Sequence, residues 1–384
     1  MRSIDSVPTL RNGTPGEASL NADRLRDVAG LVDEGIRGGV FPGAVSLIAR
    51  GGIMGWLRAQ GYAQVVPSRR PMDPETIFDL ASLTKVVATL PVVISLWEKD
   101  ALGLDSPVRS VLPEFSGGDR DLVTFRHLLA HTSGLPPWRA LYLHARTREG
   151  VLKAICETPL AAPPGRTVEY SDLGILLVGF AIERMTGRMI DRLVKEIVVE
   201  PLRLTHTMFN PPRDLWTRCA ATEPGHGYEH EKVGNDGRAF RWREDVLCGE
   251  VHDGNAHYAL GGVAPHAGLF STAREVAAVA FQWLRPGVLV SPRAVQEAIT
   301  DQRNGAGGYP RGLGWVLHHE GTFFDALGPR AFGHTGFTGT SVAVDPDEDL
   351  IVVLLTNRVH LGGSNIKIQE FRPRFHEAVW RALL

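Results

Sequence analysis

FDLASLTKVVATLP, residues 78–91, is an apolar run interrupted by one lysine. Lys85 stands three residues after Ser82. The run reads as a helix reaching to about Lys99, with Pro91 marking a kink or a joint between two pieces. Positions i and i+3 share a helix face, so ammonium and hydroxyl lie one above the other. A serine hydroxyl is a weak nucleophile until a base takes its proton, and a lysine is a base only when its pKa is lowered. Arginine cannot substitute, because its pKa lies above about 12. The chain holds six lysines against 35 arginines, so a lysine here points to chemistry rather than charge. Its apolar neighbours imply a desolvated, buried base. Ser82, in the first turn, also offers a backbone N–H to an oxyanion. The competing reading is a surface lysine beside a capping serine. Ser364-Asn365-Ile366-Lys367 repeats the spacing, but it follows Gly362-Gly363, and there an N-cap of the terminal helix is the better reading.

Outward from this stretch, strands are expected at both ends of the chain and helices between them. Residues 19–37 read as a helix, 43–52 and 55–63 as two strands, and 311–319, 339–346 and 349–357 as further strands before a last helix over about 364–384. Four segments between residues 125 and 202 are helical in pattern. Residues 210–268, rich in Gly, Pro, His and charge, read as a long irregular excursion. Strands in sequence without crossover helices favour an antiparallel sheet. The expected architecture is therefore α/β in the α+β sense: a mostly antiparallel sheet from both ends, flanked by helices, with an inserted helical lobe. The division is a flexible arm over 1–18 and one catalytic domain over 19–384. Its sheet lobe covers about 19–82 and 270–384, and its helical and irregular lobe about 83–269. A net charge of −2 gives no general case for nucleic acid or an anionic membrane. The longest apolar stretches fall short of a membrane span. No secretory signal is visible and the three cysteines lack metal or disulfide spacing, so a cytoplasmic location is expected.

Two more motifs follow. Tyr170-Ser171-Asp172 comes after a Pro-Gly turn, and Tyr170 alone among six tyrosines has Asn or Asp two residues on. A tyrosine beside the lysine could shuttle protons; alone, the motif reads as a half-buried tyrosine before a helix capped by Ser171 or Asp172. His334-Thr335-Gly336 opens a strand and turn. Gly336 would let substrate backbone approach closely, and the Phe337 N–H could be a second oxyanion donor; alone, it reads as an ordinary glycine-rich hairpin.

In order, SLTK, YSD and HTG resemble the Ser-x-x-Lys, Tyr-x-Asn and Lys/His-Thr-Gly signatures of the penicillin-recognising serine hydrolases. The resemblance is strongest to the class C β-lactamase-like branch of β-lactamases, D-Ala-D-Ala carboxypeptidases, D-aminopeptidases and esterases, and it runs from about residue 22 to 384. The resemblance implies an acyl-enzyme at Ser82, with Lys85 and Tyr170 sharing the proton. It also implies an oxyanion hole from the N–H groups of Ser82 and Phe337, substrate binding by Asp172, His334, Thr335 and Gly336, and neither metal nor organic cofactor. The substrate would be a small ester, amide or β-lactam. Two departures matter. Asp172 replaces asparagine, so an amide donor becomes an acceptor. His334 replaces lysine, so grip on a substrate carboxylate should weaken. Two alternatives stand beside this reading: an idle member of the fold that binds or assembles, and a zinc hydrolase using His226, His230, His252, Asp253, His257 and His266. His127 and His131, spaced i and i+4, lack the glutamate of a zincin. Trp138 and Tyr142 would wall the cleft or simply pack.

Overall fold

The computed structural model describes residues 9–384. Seven strands form the main sheet: β1 (Arg11–Asn12), β2 (Gly43–Arg50), β3 (Ile53–Gln64), β4 (Val316–Leu317), β5 (Phe332–Thr335), β6 (Ser341–Asp345) and β7 (Leu350–Thr356). Their order is β1-β3-β2-β7-β6-β5-β4, and an eighth short strand, Arg70–Pro71, pairs with β3. Every pairing is antiparallel except β1 with β3. The centre is the pairing of β2 with β7, Ala44 to Arg50 against Thr356 to Leu350, so the two ends of the chain meet in one sheet.

Both faces of this sheet are apolar because successive residues of a strand point to opposite sides. Val45, Leu47 and Ala49 of β2, with Ile351, Val353 and Leu355 of β7, enter the larger core. That core includes helix residues Val276, Ala277, Val279, Ala280 and Trp283. Ala44 and Ile48, with Leu350, Val352 and Leu354, enter a second core with Leu25, Val28, Val32, Phe371 and Phe375. Three helices supply those partners: α1 (Ala22–Arg37), α4 (Ala273–Leu284) and α5 (Ile368–Trp380). Two others, α2 (Leu90–Glu98) and α3 (Asp172–Thr186), belong to the helical middle. All of Leu173 to Ile182 in α3 is buried, which explains a segment too apolar to show a polar face.

Several expectations need correction. Of the arm expected over 1–18, the part within the described residues is pinned where β1 pairs with β3. Residues 1–8 lie outside the described residues. The terminal helix starts at Ile368, not Ser364. Ser364 caps nothing, and Lys367 donates to the Gly38 carbonyl at 3.0 Å. The strand expected over 311–319 reduces to Val316–Leu317. The Ser82 helix is not uniform. Ala81–Leu83 is a 3₁₀ turn and Lys85–Thr89 a π-turn before α2. Pro91 falls in the first turn of α2, where its missing donor costs little. The widening sits at the lysine rather than at the proline. The run Ala81–Glu98 is long and apolar enough to cross a membrane by length and composition, but 72% of it is buried in the fold.

Candidate active site

Ser82 lies where the sheet meets the helical middle, on a cavity of about 430 Å³. Its approach is built by Asp79. One carboxylate oxygen accepts the Ala81 N–H at 2.8 Å and the other the His252 N–H at 2.7 Å. Ala81 is thereby held at φ 46°, a left-handed conformation that an alanine rarely adopts. Burial pushes the Asp79 pKa upward, against those two hydrogen bonds.

The turn after β5 is tied to the same segment. The Thr338 hydroxyl donates to the Asp79 carbonyl at 2.7 Å, and the Thr340 hydroxyl to the Leu80 carbonyl at 2.9 Å. From below, Arg372 of α5 donates to the carbonyls of Gly336 and Thr340 at 3.2 and 2.8 Å. Phe337, at the tip, thus lines the same cavity as Ser82. Gly336 has a different task from the one its sequence suggested. A Cβ there would meet the Thr340 hydroxyl at 2.1 Å and the Leu80 carbonyl at 2.4 Å. The missing side chain admits the protein's own backbone.

Lys85 stands behind the cavity wall. Its Nζ is 2.9 Å from Ser82 Oγ, 3.0 Å from the His266 carbonyl and 2.7 Å from Asp172 Oδ1. Its side chain is 1% exposed, that of Asp172 17%. Tyr170 presents its ring 5.0 Å from the ammonium. His131 grips the chain on both sides of Tyr170: its carbonyl accepts the Glu169 N–H at 2.8 Å and its Nδ1 the Ser171 N–H at 3.0 Å. Ser171 also caps α3 through Gly174, so one motif sets both the tyrosine and the helix that carries Asp172.

Electrostatics overturn the expected state of the lysine. Burial alone would lower its pKa, but the Asp172 carboxylate opposes burial, and the net shift is upward. Lys85 is held charged. Burial likewise raises Tyr170, with Lys85 opposing, so the phenol keeps its proton. His334 goes the other way: burial, then Arg311 and Lys85, push it well below the ordinary histidine value. It is neutral and donates its Nδ1–H to the Thr335 carbonyl at 2.8 Å. The cation beside it is Arg311, 5.5 Å from the Tyr170 ring, its Nη1 buried without a hydrogen-bond partner. Burial pulls its pKa down, and Tyr170 opposes that.

Ser82, Tyr170, Asp172, His334, Thr335 and Gly336 all line one cavity, which Lys85 backs. Trp138 is at its rim with Lys232 4.0 Å over its ring, whereas Tyr142 packs on Phe240, Trp242 and Tyr258. The excursion's histidines are engaged locally: His226 with Tyr258, His252 with Glu223 and His266 with Asp253. Among the described residues, no group of three His, Cys, Asp or Glu side chains is arranged to hold a metal ion. Sequence reasoning missed Arg311, Asp79, Thr338, Thr340 and Arg372. The alternating threonines and glycines of TGFTGT were the only visible hint.

Residues 28–371 match the family model described as Beta-lactamase. The chain belongs to the β-lactamase family. This β-lactamase-family hydrolase is 31% identical over 392 residues to an Escherichia coli K12 protein provisionally named a D-alanyl-D-alanine carboxypeptidase, covering 93% of this chain and 88% of that one. It is 32% identical over 372 residues to the N-acetylmuramyl-L-alanine amidase of Bacillus subtilis 168, covering 89% and 83%. Among solved structures it resembles a penicillin-binding protein homologue from Caulobacter crescentus, with a TM-score of 0.72 at 21% identity, over 95% of this chain and 99% of that one. It also resembles EstCE1, a hydrolase with promiscuous acyltransferase activity, with a TM-score of 0.71 at 23% identity, over 91% and 98%. These two likenesses show the fold.

Proposed function

We propose that this β-lactamase-family hydrolase works through an acyl-enzyme on Ser82, which water then hydrolyses. The observation that carries the reading is the contact of Ser82 Oγ with Lys85 Nζ at 2.9 Å, beside a buried tyrosine and on an open cavity. Ser82 attacks the carbonyl carbon. The N–H groups of Ser82 and Phe337 receive the oxyanion, a donor pair whose members are each worth about 3–4 kcal/mol in such sites. Tyr170, neutral at rest, passes its proton to the leaving group and recovers it afterwards.

The substrate class is a small ester, a β-lactam or an amide of the D-aminoacyl peptide kind. Arg311 favours those whose leaving half carries a carboxylate. A buried guanidinium with an unpaired Nη1, next to the proton donor of the leaving group, offers a charge-assisted contact that neutral His334 does not. The names of the two curated relatives, a carboxypeptidase and an amidase, fit amide substrates of this type.

Mass spectrometry after a fluorophosphonate or a penicillin tests the reading. One adduct on Ser82, absent from Ser82→Ala, is expected; an unlabelled Ser82 would sink it. Nitrocefin, short-chain esters and D-alanyl peptides, assayed with and without chelator, then sort the substrates. Loss of p-nitrophenyl acetate hydrolysis with chelator would favour a zinc enzyme instead.

A further inference from the structure

Resting on the acyl-enzyme reading, we propose that Asp172 is the terminal acceptor of the Ser82 proton, reached through Lys85. The geometry sets three groups in a row: Lys85 Nζ donates to Ser82 Oγ at 2.9 Å and forms an ion pair with Asp172 Oδ1 at 2.7 Å, and that buried oxygen has no hydrogen-bond partner of its own. The third contact of the ammonium, the His266 carbonyl at 3.0 Å, accepts a hydrogen bond but cannot store a proton. A base must be empty when the nucleophile attacks. Lys85 is held protonated by the carboxylate beside it, and Tyr170 keeps its phenolic proton through burial. Around this pair, His131 and His334 are pushed neutral, Arg311 is a cation, and Lys232 sits out at the rim. Neither of those cations can accept a proton. His131 Nδ1 accepts the Ser171 N–H, and His334 donates its Nδ1–H to Thr335 and leaves Nε2 without a partner, but the atom in contact with Ser82 Oγ is Lys85 Nζ.

The step balances without any other reactant. As Ser82 Oγ bonds to the carbonyl carbon, its O–H breaks and the proton joins the Lys85 Nζ lone pair that a departing N–H proton leaves behind. One N–H of Lys85 breaks and that proton joins Asp172 Oδ1. Lysine ends as an ammonium, as it began, and the carboxylate ends as a carboxylic acid. Transfer of an N–H proton to Asp172 frees the Nζ lone pair in the same motion that takes the Ser82 proton, so no neutral amine persists and the positive charge stays beside the forming oxyanion. Reversal returns the proton when the acyl group leaves for water. An asparagine at 172 would keep the shape and the contact with Nζ but could not take the proton.

Asp172→Asn is therefore the test, because the exchange is nearly isosteric. The relay predicts a fall of about 10²-fold or more in kcat for p-nitrophenyl acetate at every pH between about 5 and 9, the range of a lost general base. In Asp172→Ala, sodium formate should restore turnover saturably. The wild-type proton inventory in mixed H₂O and D₂O should be curved, as two protons in flight require. The opposite result is equally plain: near-wild-type turnover in Asp172→Asn, with the acid limb of kcat/KM moved to lower pH, would make free Lys85 amine the base and overturn the relay. Full turnover by Ser82→Ala would overturn the acyl-enzyme reading and the relay together.

Discussion

Replacing Gly336 by alanine should disable the site without removing any side chain that lines the cavity. The new Cβ would lie 2.1 Å from the Thr340 hydroxyl and 2.4 Å from the Leu80 carbonyl. Carbon and oxygen settle at about 3.3–3.6 Å, so the turn must withdraw from the Ser82 segment by roughly an ångström. Thr340 could rotate, at the cost of its 2.9 Å bond to Leu80. The Leu80 carbonyl cannot, because it is backbone just before Ser82. The movement carries Phe337, whose N–H is the proposed second oxyanion donor, away from the cavity wall that it shares with Ser82. Displacement by about 1 Å, or loss of one oxyanion donor, costs on the order of 10²–10³ in kcat. The stability loss is that of an overpacked core, about 1–3 kcal/mol, small enough to leave the protein folded. The assay is steady-state hydrolysis of p-nitrophenyl acetate, with Tm from circular dichroism as the control. The double variant Gly336→Ala/Thr340→Ala should recover little, since the Leu80 clash remains. Wild-type kcat in a folded Gly336→Ala enzyme would refute the reasoning, because the stitched turn would then not be what positions Phe337.

Three further outcomes follow from other parts of the molecule. Arg311→Gln should lower kcat/KM by roughly 10–100-fold for amides whose leaving group bears a carboxylate, the value of charge-assisted hydrogen bonds, and by no more than about twofold for p-nitrophenyl acetate; equal losses on both would contradict a leaving-group role. Glu229, whose carboxyl is buried beside Asp253, is raised from 4.5 to about 7, by burial first and Asp253 next. Its protonated form is favoured by folding, so its contribution is full below pH 4.5 and is lost as pH rises through about 7. Urea unfolding should therefore show Glu229→Gln gaining on the order of 3 kcal/mol relative to wild type between about pH 4.5 and 8.5, and a pH-independent difference would count against it. Trp283 packs edge-on against Trp315 at 5.5 Å between the sheet and α4; Trp283→Ala should cost about 3–5 kcal/mol in urea unfolding, and a loss under about 1 kcal/mol would mean the core closes over the gap.

The chemistry-bearing residues were legible because they are rare or oddly positioned. One lysine in an apolar run and one tyrosine followed by an acid made Ser82, Lys85, Tyr170 and Asp172 candidates once SLTK, YSD and HTG were taken together and in order. The sheet was legible from strands at both ends of the chain that follow one another without crossover helices. What failed to show was everything made by contact across the chain. Arg311 is one of 35 arginines, and nothing in its neighbours says that it is buried without a partner. Asp79, Thr338, Thr340 and Arg372 act through backbone groups, which carry no sequence signature. The π-turn at Lys85–Thr89 leaves the hydrophobic pattern of a helix unchanged. The largest misreading concerned Lys85 itself. Apolar neighbours in sequence implied a neutral amine, but the residue that fixes its charge is Asp172, distant in sequence and 2.7 Å away in space.

The two departures from the family pattern bear on each other. An acid at 172 adds negative charge behind Ser82 and binds the lysine ammonium to itself. A neutral histidine at 334 removes the positive charge that a lysine would have contributed at the end of β5. Each change alone lowers the potential at the cavity floor, and an anionic substrate would meet less attraction twice over. Arg311 adds a cation on the Tyr170 side, 5.5 Å from its ring, in a cavity that Arg358 and Arg372 also line. In the proposed mechanism, the Tyr170 side is the flank where the leaving group would depart. A substrate bearing its carboxylate on the acyl half finds no such partner at residue 334, while one bearing it on the leaving half finds Arg311. The distinction separates a peptide cleaved ahead of its last residue from an ester that carries its charge on the acid. Matched esters and amides with the carboxylate on either half should therefore differ in KM more than in kcat, with the difference lost in Arg311→Gln.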